Sequence, residues 1–263
     1  MVHDEKTIVV INEDIGNGYR RLVLDAPQIV AAVQPGQFVH IKVPSLEMSA
    51  LRRPLSVLDA CDGKLYLLFK RVGRGTDALA KVREGDEVMV EGPLGHGFPV
   101  ESKSIALLVG GGFGVAPLYF LAKRRAALGL ESVLFVGGRT KDDLLEIEAF
   151  EKIGIKVFTA TNDGSAGVKG FVVAPLDEEI VKLRQQGIEF ELFTCGPDGL
   201  LKAVSERALS LGVPGWISVD RHMICGVGAC FACIQKLKRP NGEVWNARCC
   251  VNGPVFKAEE IVW

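Results

Sequence analysis

Ile105-Ala-Leu-Leu-Val-Gly110-Gly-Gly-Phe-Gly114-Val-Ala-Pro117 is a short apolar run that breaks into four glycines and then a proline-led segment. A run of this length bounded by glycine reads as a buried strand, and residues 115–128 carry helical spacing with a proline suited to the first turn. The unit recurs three times downstream. Strand-like 132–136 precedes helix-like 141–152, 156–160 precedes 174–186, and 189–194 precedes 198–211. Such alternation predicts a parallel sheet with helices on both faces, set within residues 101–218. The glycines let backbone N–H groups approach a dinucleotide's pyrophosphate, but their spacing departs from G-x-G-x-x-G. Taken alone they fit an ordinary strand-to-helix turn equally well.

Upstream the rhythm is different. Residues 7–12, 19–24, 37–43, 55–58, 64–71 and 87–91 are short β-like runs punctuated by glycine and proline, which favours a small antiparallel barrel over residues 1–100. Downstream, residues 219–263 are rich in cysteine and glycine and show little helical periodicity. So short a tail buries little core by itself and calls for a metal or cofactor as a staple.

Five of the seven cysteines fall between Cys225 and Cys250. An odd count in a chain without an export-like start speaks against a disulfide framework. In Cys225-Gly-Val-Gly-Ala-Cys230-Phe-Ala-Cys233, gaps of four and then two residues are followed, after 16 more, by Cys250. That is the spacing of a plant-type two-iron, two-sulfur cluster. A four-cysteine zinc site is the competing reading, although zinc sites usually show two short pairs. On spacing alone Cys249 could replace Cys250.

The 263 residues carry 31 Lys and Arg against 32 Asp and Glu, with 48% hydrophobic and 24% charged. These values belong to a soluble globular protein, and without a polybasic block nucleic acid is a poor partner. The apolar stretches fall far below the roughly 20 residues that span a bilayer, so a cytoplasmic location is expected.

Two further groups supply the chemistry a diphosphate needs: Arg52-Arg-Pro-Leu-Ser56 at a strand start, and Gly73-Arg-Gly-Thr76 before a short helical run. Singly, each is an ordinary basic pair or turn. Cys195-Gly-Pro197 ends another predicted parallel strand, at the edge where such sheets bind ligands, though a lone buried cysteine needs no function.

Together, Arg53-Pro-Leu-Ser56, Gly75-Thr76, Gly110 to Pro117 and Cys195-Gly-Pro197 resemble the ferredoxin reductase superfamily. There a barrel holds FAD and an α/β domain receives NAD(P). Asp220-Arg-His-Met-Ile-Cys225 through Cys233, with Cys250-Val-Asn-Gly-Pro-Val-Phe256, closely resembles the electron-transfer subunits of NAD-dependent (class 1B) dihydroorotate dehydrogenases. Asn252 departs from the acidic residue often found before that glycine.

The resemblance implies that Arg53, Pro54, Leu55 and Ser56 lie beside the flavin, and that Leu68, Phe69 and Lys70 face its ribityl or adenosine part. Gly75 and Thr76 would bind its diphosphate. Gly111, Gly112 and Gly114 would receive the nucleotide's diphosphate, and Cys195 would stand near the nicotinamide and flavin rings. Cys225, Cys230, Cys233 and Cys250 would be the cluster ligands. A nicotinamide exchanges two electrons and a cluster one, so FAD, which does both, belongs between them. No side chain need act as acid or base; His96 and His222 read as structural or solvated histidines. The expected partner is an FMN-containing dihydroorotate-oxidising subunit in an A2B2 heterotetramer that reduces NAD⁺ in pyrimidine synthesis. Two other readings remain: a similar small subunit of an NAD(P)H-linked flavoprotein acting on ferredoxin, sulfide or glutamate, with Arg139 attracting a 2′-phosphate, and a zinc-stapled regulator.

Overall fold

The computed structural model describes residues 1–44 and 51–263. The chain opens with β1 (His3–Gly16), β2 (Tyr19–Asp25), the short helix α1 (Pro27–Ala32), β3 (Phe38–Lys42), β4 (Arg53–Cys61), β5 (Lys64–Lys70), α2 (Arg74–Leu79) and β6 (Glu87–Leu94). The six strands close into an antiparallel barrel in the order β1-β2-β5-β4-β3-β6. Alternation explains the closure: Val39, Ile41, Leu55, Val57, Leu65, Leu67 and Phe69 point into one buried core. On β3 the intervening Phe38 and His40 therefore face outward, as do Pro54 and Ser56 opposite them on β4.

The second unit begins with β7 (Ile105–Gly111), a 3₁₀ turn at Gly112–Gly114, and α3 (Val115–Ala127). It continues through β8 (Ser132–Gly138), α4 (Ile147–Lys152), β9 (Lys156–Thr161), β10 (Val168–Lys169), α5 (Val173–Gln185), β11 (Phe190–Cys195), α6 (Asp198–Leu211) and β12 (Gly215–Ser218). The strands are parallel from β10 through β12, in the order β10-β9-β8-β7-β11-β12. Helices cover both faces. Leu107, Val109, Val133 and Phe135 pack with α5 and α6, while Ala106, Leu108, Leu134 and Val136 pack with α3 and α4.

The last segment forms a hairpin, β13 (Ile234–Lys238) with β14 (Val244–Arg248), a single helical turn α7 (Cys249–Asn252), and β15 (Val255–Lys257). β15 runs antiparallel to β12 and so extends the large sheet. Leu237, Ala247, Cys249 and Phe256 join the core under α5 and α6, so the tail borrows the core it is too small to build. Among the described residues, no helix is long and apolar enough to cross a membrane.

One sequence expectation fails. Residues 141–152 do not form one helix: a 3₁₀ turn, Lys141–Asp143, stops at extended Leu144, and α4 starts only after Glu146, whose φ is +61°. Asp143 is drawn out of helical register by hydrogen bonds from Tyr19 Oη at 2.9 Å and Asn17 Nδ2 at 3.0 Å. Glu146 is held by Arg21 Nη2 at 2.6 Å. Barrel side chains thus override the local helical preference.

Candidate functional site

Strand order reverses at β7: its successors β8 and β9 lie on one side and β11 on the other. The crevice at the carboxyl ends of β7 and β11 is where open α/β sheets receive ligands. Gly110 and Cys195 are register partners there, which brings the two glycine-containing turns together. A side chain on Gly111 would meet Pro197 Cδ at 2.9 Å, and one on Gly114 would meet the Cys195 carbonyl and, at 2.8 Å, the Gly196 nitrogen. Gly112 sits at φ +54° with Tyr19 Oη 3.3 Å from where its Cβ would be. These glycines permit two backbones to touch, and the loop they form begins α3. Cys195 is buried, and burial pushes its thiol up to about 12 against a hydrogen bond with Ser218. Burial therefore favours its neutral form.

On the barrel, Arg53 starts β4 and donates through Nη1 to the carbonyls of Leu51 at 2.8 Å and Arg52 at 3.2 Å. Its guanidinium lies across Gly75. Thr76 Oγ1 accepts the N–H groups of Val72 at 2.9 Å and Gly73 at 3.2 Å, fixing the turn before α2. Arg53, Gly75 and Thr76 are therefore brought together. Leu55 and Phe69 are barrel-core side chains and Leu68 packs toward α3 and β7, so these three can offer a ligand mainly backbone. Lys70 reaches Asp143 Oδ1 at 3.5 Å and lies 4.1 Å over the Tyr19 ring.

The cysteines approach one another in pairs. The Cys230 N–H donates to Cys225 Sγ at 3.4 Å, and Cys233 stands close enough to Cys250 to push its thiol up. Against the upward push of burial, backbone N–H groups of Cys230, Val227 and Ala229 bring the Cys225 thiol down to about 7. Cys250, also turned toward the Gly228 N–H, is pushed up to about 12 by burial and by Cys233. Cys249 is fully buried in the core and its N–H donates to the Cys233 carbonyl at 2.8 Å. Among the described residues, no three His, Cys, Asp or Glu side chains converge on a point that could hold one metal ion. Two thiol pairs flanked by N–H donors suit a cluster in which each iron takes two thiolates, so the donor set fits.

Sequence reasoning missed three residues. Tyr19 and Asp143 tie the barrel to the α/β unit, and nothing local marks them. His40, in the alternating run Phe38–Lys42, is fully buried beneath the cysteine loop: a Cβ on Gly226 would lie 2.5 Å from its Nδ1. Burial, reinforced by Arg52 and Arg53, brings it down to about 4, so it is neutral near pH 7.

An antiparallel barrel beside a switch-point sheet, with a cysteine loop between them, defines an oxidoreductase of the ferredoxin reductase class. The model of the iron–sulfur cluster binding domain of dihydroorotate dehydrogenase B matches residues 220–262, and that of the oxidoreductase NAD-binding domain matches residues 108–206. The chain is 40% identical over 269 residues to the dihydroorotate dehydrogenase B (NAD(+)) electron transfer subunit of Bacillus mycoides (strain KBAB4), covering 100% of both. It is also 40% identical over 268 residues to that of Geobacillus thermodenitrificans (strain NG80-2), again over 100% of both. The chain belongs to the family of dihydroorotate dehydrogenase B (NAD(+)) electron transfer subunits. Among solved structures, the NADH-dependent reduced ferredoxin-NADP oxidoreductase superposes with a TM-score of 0.85 at 32% identity, over 99% of this chain and 91% of that one. A Neisseria gonorrhoeae ferredoxin NADP⁺ reductase with bound FAD and NADP shares the fold, with a TM-score of 0.65 at 14% identity over 79% of this chain and 91% of that one.

Proposed function

We propose that this chain relays electrons from an FMN-containing, dihydroorotate-oxidising partner subunit to NAD⁺, within an A2B2 assembly of the cytoplasm that serves pyrimidine synthesis. The observation that carries the reading is the seating of the cysteine loop on the barrel. Gly226 rests against His40, and His40 is the register partner of Pro54 in the Arg53–Ser56 segment. Electron transfer needs donor and acceptor close together, and this arrangement places the loop against the face expected to hold a flavin.

Bound FAD exchanges two electrons with a nicotinamide and one at a time with an iron–sulfur cluster. Arg53, Ser56, Gly75 and Thr76 hold and orient it through charge, hydroxyls and backbone N–H groups, with Pro54, Leu55, Leu68, Phe69 and Lys70 shaping the surroundings. Gly111, Gly112 and Gly114 open the crevice to the dinucleotide's diphosphate. Cys195 packs at its floor as a neutral group. Cys225, Cys230, Cys233 and Cys250 supply the thiolates. Boundaries at residues 100 and 218 divide the labour, with β15 returning from the tail to brace the nucleotide unit.

The likeness to the ferredoxin-NADP oxidoreductase favours one second reading, in which the same relay serves another flavoprotein. Anaerobic purification of the tagged chain from its own cell separates the two. An FMN barrel subunit that co-purifies and drives dihydroorotate-dependent NAD⁺ reduction supports the first. A larger flavoprotein with its own dinucleotide folds leaves the relay standing and removes the pyrimidine role.

A further inference from the structure

His40 is fully buried, yet neither Nδ1 nor Nε2 has a hydrogen-bond partner among the described residues. Buried polar side chains are nearly always partnered, and each exception asks for an explanation. The ring faces outward from the barrel, because Val39 and Ile41 on either side fill the interior. The charged groups around it do not serve. Glu91 Oε2 stands 3.9 Å from Nδ1, too far for a hydrogen bond, and it neighbours Arg52, whose Nε is 4.0 Å away. Arg52 is itself committed to Asp4 at 2.8 Å, and Arg53 to backbone carbonyls. As cations they oppose protonation of the imidazole, and neither is hydrogen-bonded to it.

What covers the ring is the cysteine loop. Gly226, at φ +71°, lies so close that a side chain there would strike Nδ1 at 2.5 Å, Cε1 at 3.1 Å and Cγ at 3.3 Å. The residue before it is Cys225, whose sulfur already collects backbone N–H donors. A neutral imidazole has one N–H to give, and an iron–sulfur cluster presents only acceptors, its thiolates and sulfides.

We propose that His40 is a positioning and tuning residue of the cluster site: its imidazole N–H is donated to a sulfur of the cluster held by the Cys225–Cys233 loop, fixing the loop on the barrel and raising the cluster's reduction potential. The inference rests on the cluster reading of that loop. Its direction follows from electrostatics, since a donor to sulfur stabilises the more negative, reduced state.

The experiment uses the holoprotein with ¹⁵N-labelled histidine, reduced and studied by pulsed EPR. A weakly coupled ¹⁵N nucleus on the cluster is expected in the wild type, together with its loss in equally labelled His40→Asn. Asn retains a donor near the Nδ1 position, so a redox titration should find that variant close to wild type, while His40→Leu titrates at a distinctly more negative potential. Failure of His40→Leu to fold leaves the labelled wild type and His40→Asn to decide. A cluster signal without coupled histidine nitrogen, or with one that persists in His40→Asn, overturns the proposal and leaves the cluster reading intact. A wild type with no iron–sulfur signal overturns both.

Discussion

The Arg53 guanidinium occupies the space that a side chain on Gly75 would fill, with Nη2 only 2.6 Å from the position of that Cβ. The two residues come from different elements, the start of β4 and the first turn of α2, and the contact brings the barrel's cation to the glycine turn. Because the obstructing atoms are the far end of a flexible side chain, Gly75→Ala should be accommodated by Arg53 swinging away. Alanine is better than glycine inside a helix by roughly 1 kcal/mol, so the fold should survive. FAD affinity should not. We expect at least about a tenfold weaker Kd, about 1.4 kcal/mol, in flavin titration of the apoprotein; unchanged affinity would detach Arg53 from the flavin site.

Asp143 joins the two large units. Burial works to raise its carboxyl, but the Tyr19 hydroxyl, the Lys70 charge and the Arg139 N–H outweigh it and hold the group below the ordinary carboxylate value. Hydrogen bonds to a charged group are worth about 1.5–3 kcal/mol, which is the loss expected for Asp143→Asn in urea unfolding near neutral pH. A carboxylate depressed in the folded state contributes fully above its unfolded value and loses that contribution as pH falls through the folded one. The gap between wild type and variant should therefore be constant near pH ~7 and shrink below about pH 4. A gap independent of pH would contradict the ionised role.

Contacts such as that of Asp143 mark the limit of what the sequence discloses. Strand periodicity, the β-α alternation and the glycine turns are local, and so is most of the cysteine spacing, since three of the four expected ligands share the Cys225–Cys233 loop. Asp143 belongs to a stretch whose charges and apolar spacing suit a helix, and barrel residues 124 to 126 positions away in the chain, Asn17, Tyr19 and Arg21, break it. His40 occupies what looks like the exposed phase of an alternating strand. Its burial depends on Gly226, which no local pattern connects to it.

Adjacent Cys249 and Cys250 differ in ways that spacing does not reveal. Both are buried in the same core, but the Cys250 thiol is turned toward Cys233 and the Gly228 N–H, whereas Cys249 engages Cys233 through its backbone N–H. Iron analysis should find full occupancy in Cys249→Ala, with a stability loss of about 1 kcal/mol for the small cavity, and loss of the cluster in Cys250→Ser. Cys230→Ser should abolish dihydroorotate-dependent NAD⁺ reduction while leaving NADH-to-dye reduction through the flavin. Coupled activity retained in Cys230→Ser would refute the relay through the loop.

Cys195 tests how the crevice works. Its thiol lies at the carboxyl end of β11 against the Gly110 register position, where an ionised sulfur would be a reactive group beside a nicotinamide. Burial instead pushes it up to about 12, so it stays protonated across the working range. NADH-to-dye reduction measured from about pH 6 to pH 10 should show no inflection near the ordinary thiol value of about 8.5 that depends on this residue. Cys195→Ala should keep the same profile and lose no more than about tenfold in rate, equivalent to about 1.4 kcal/mol, because the side chain acts by packing. An inflection present in the wild type and absent from Cys195→Ala would mean that the thiolate forms and participates, contrary to its burial.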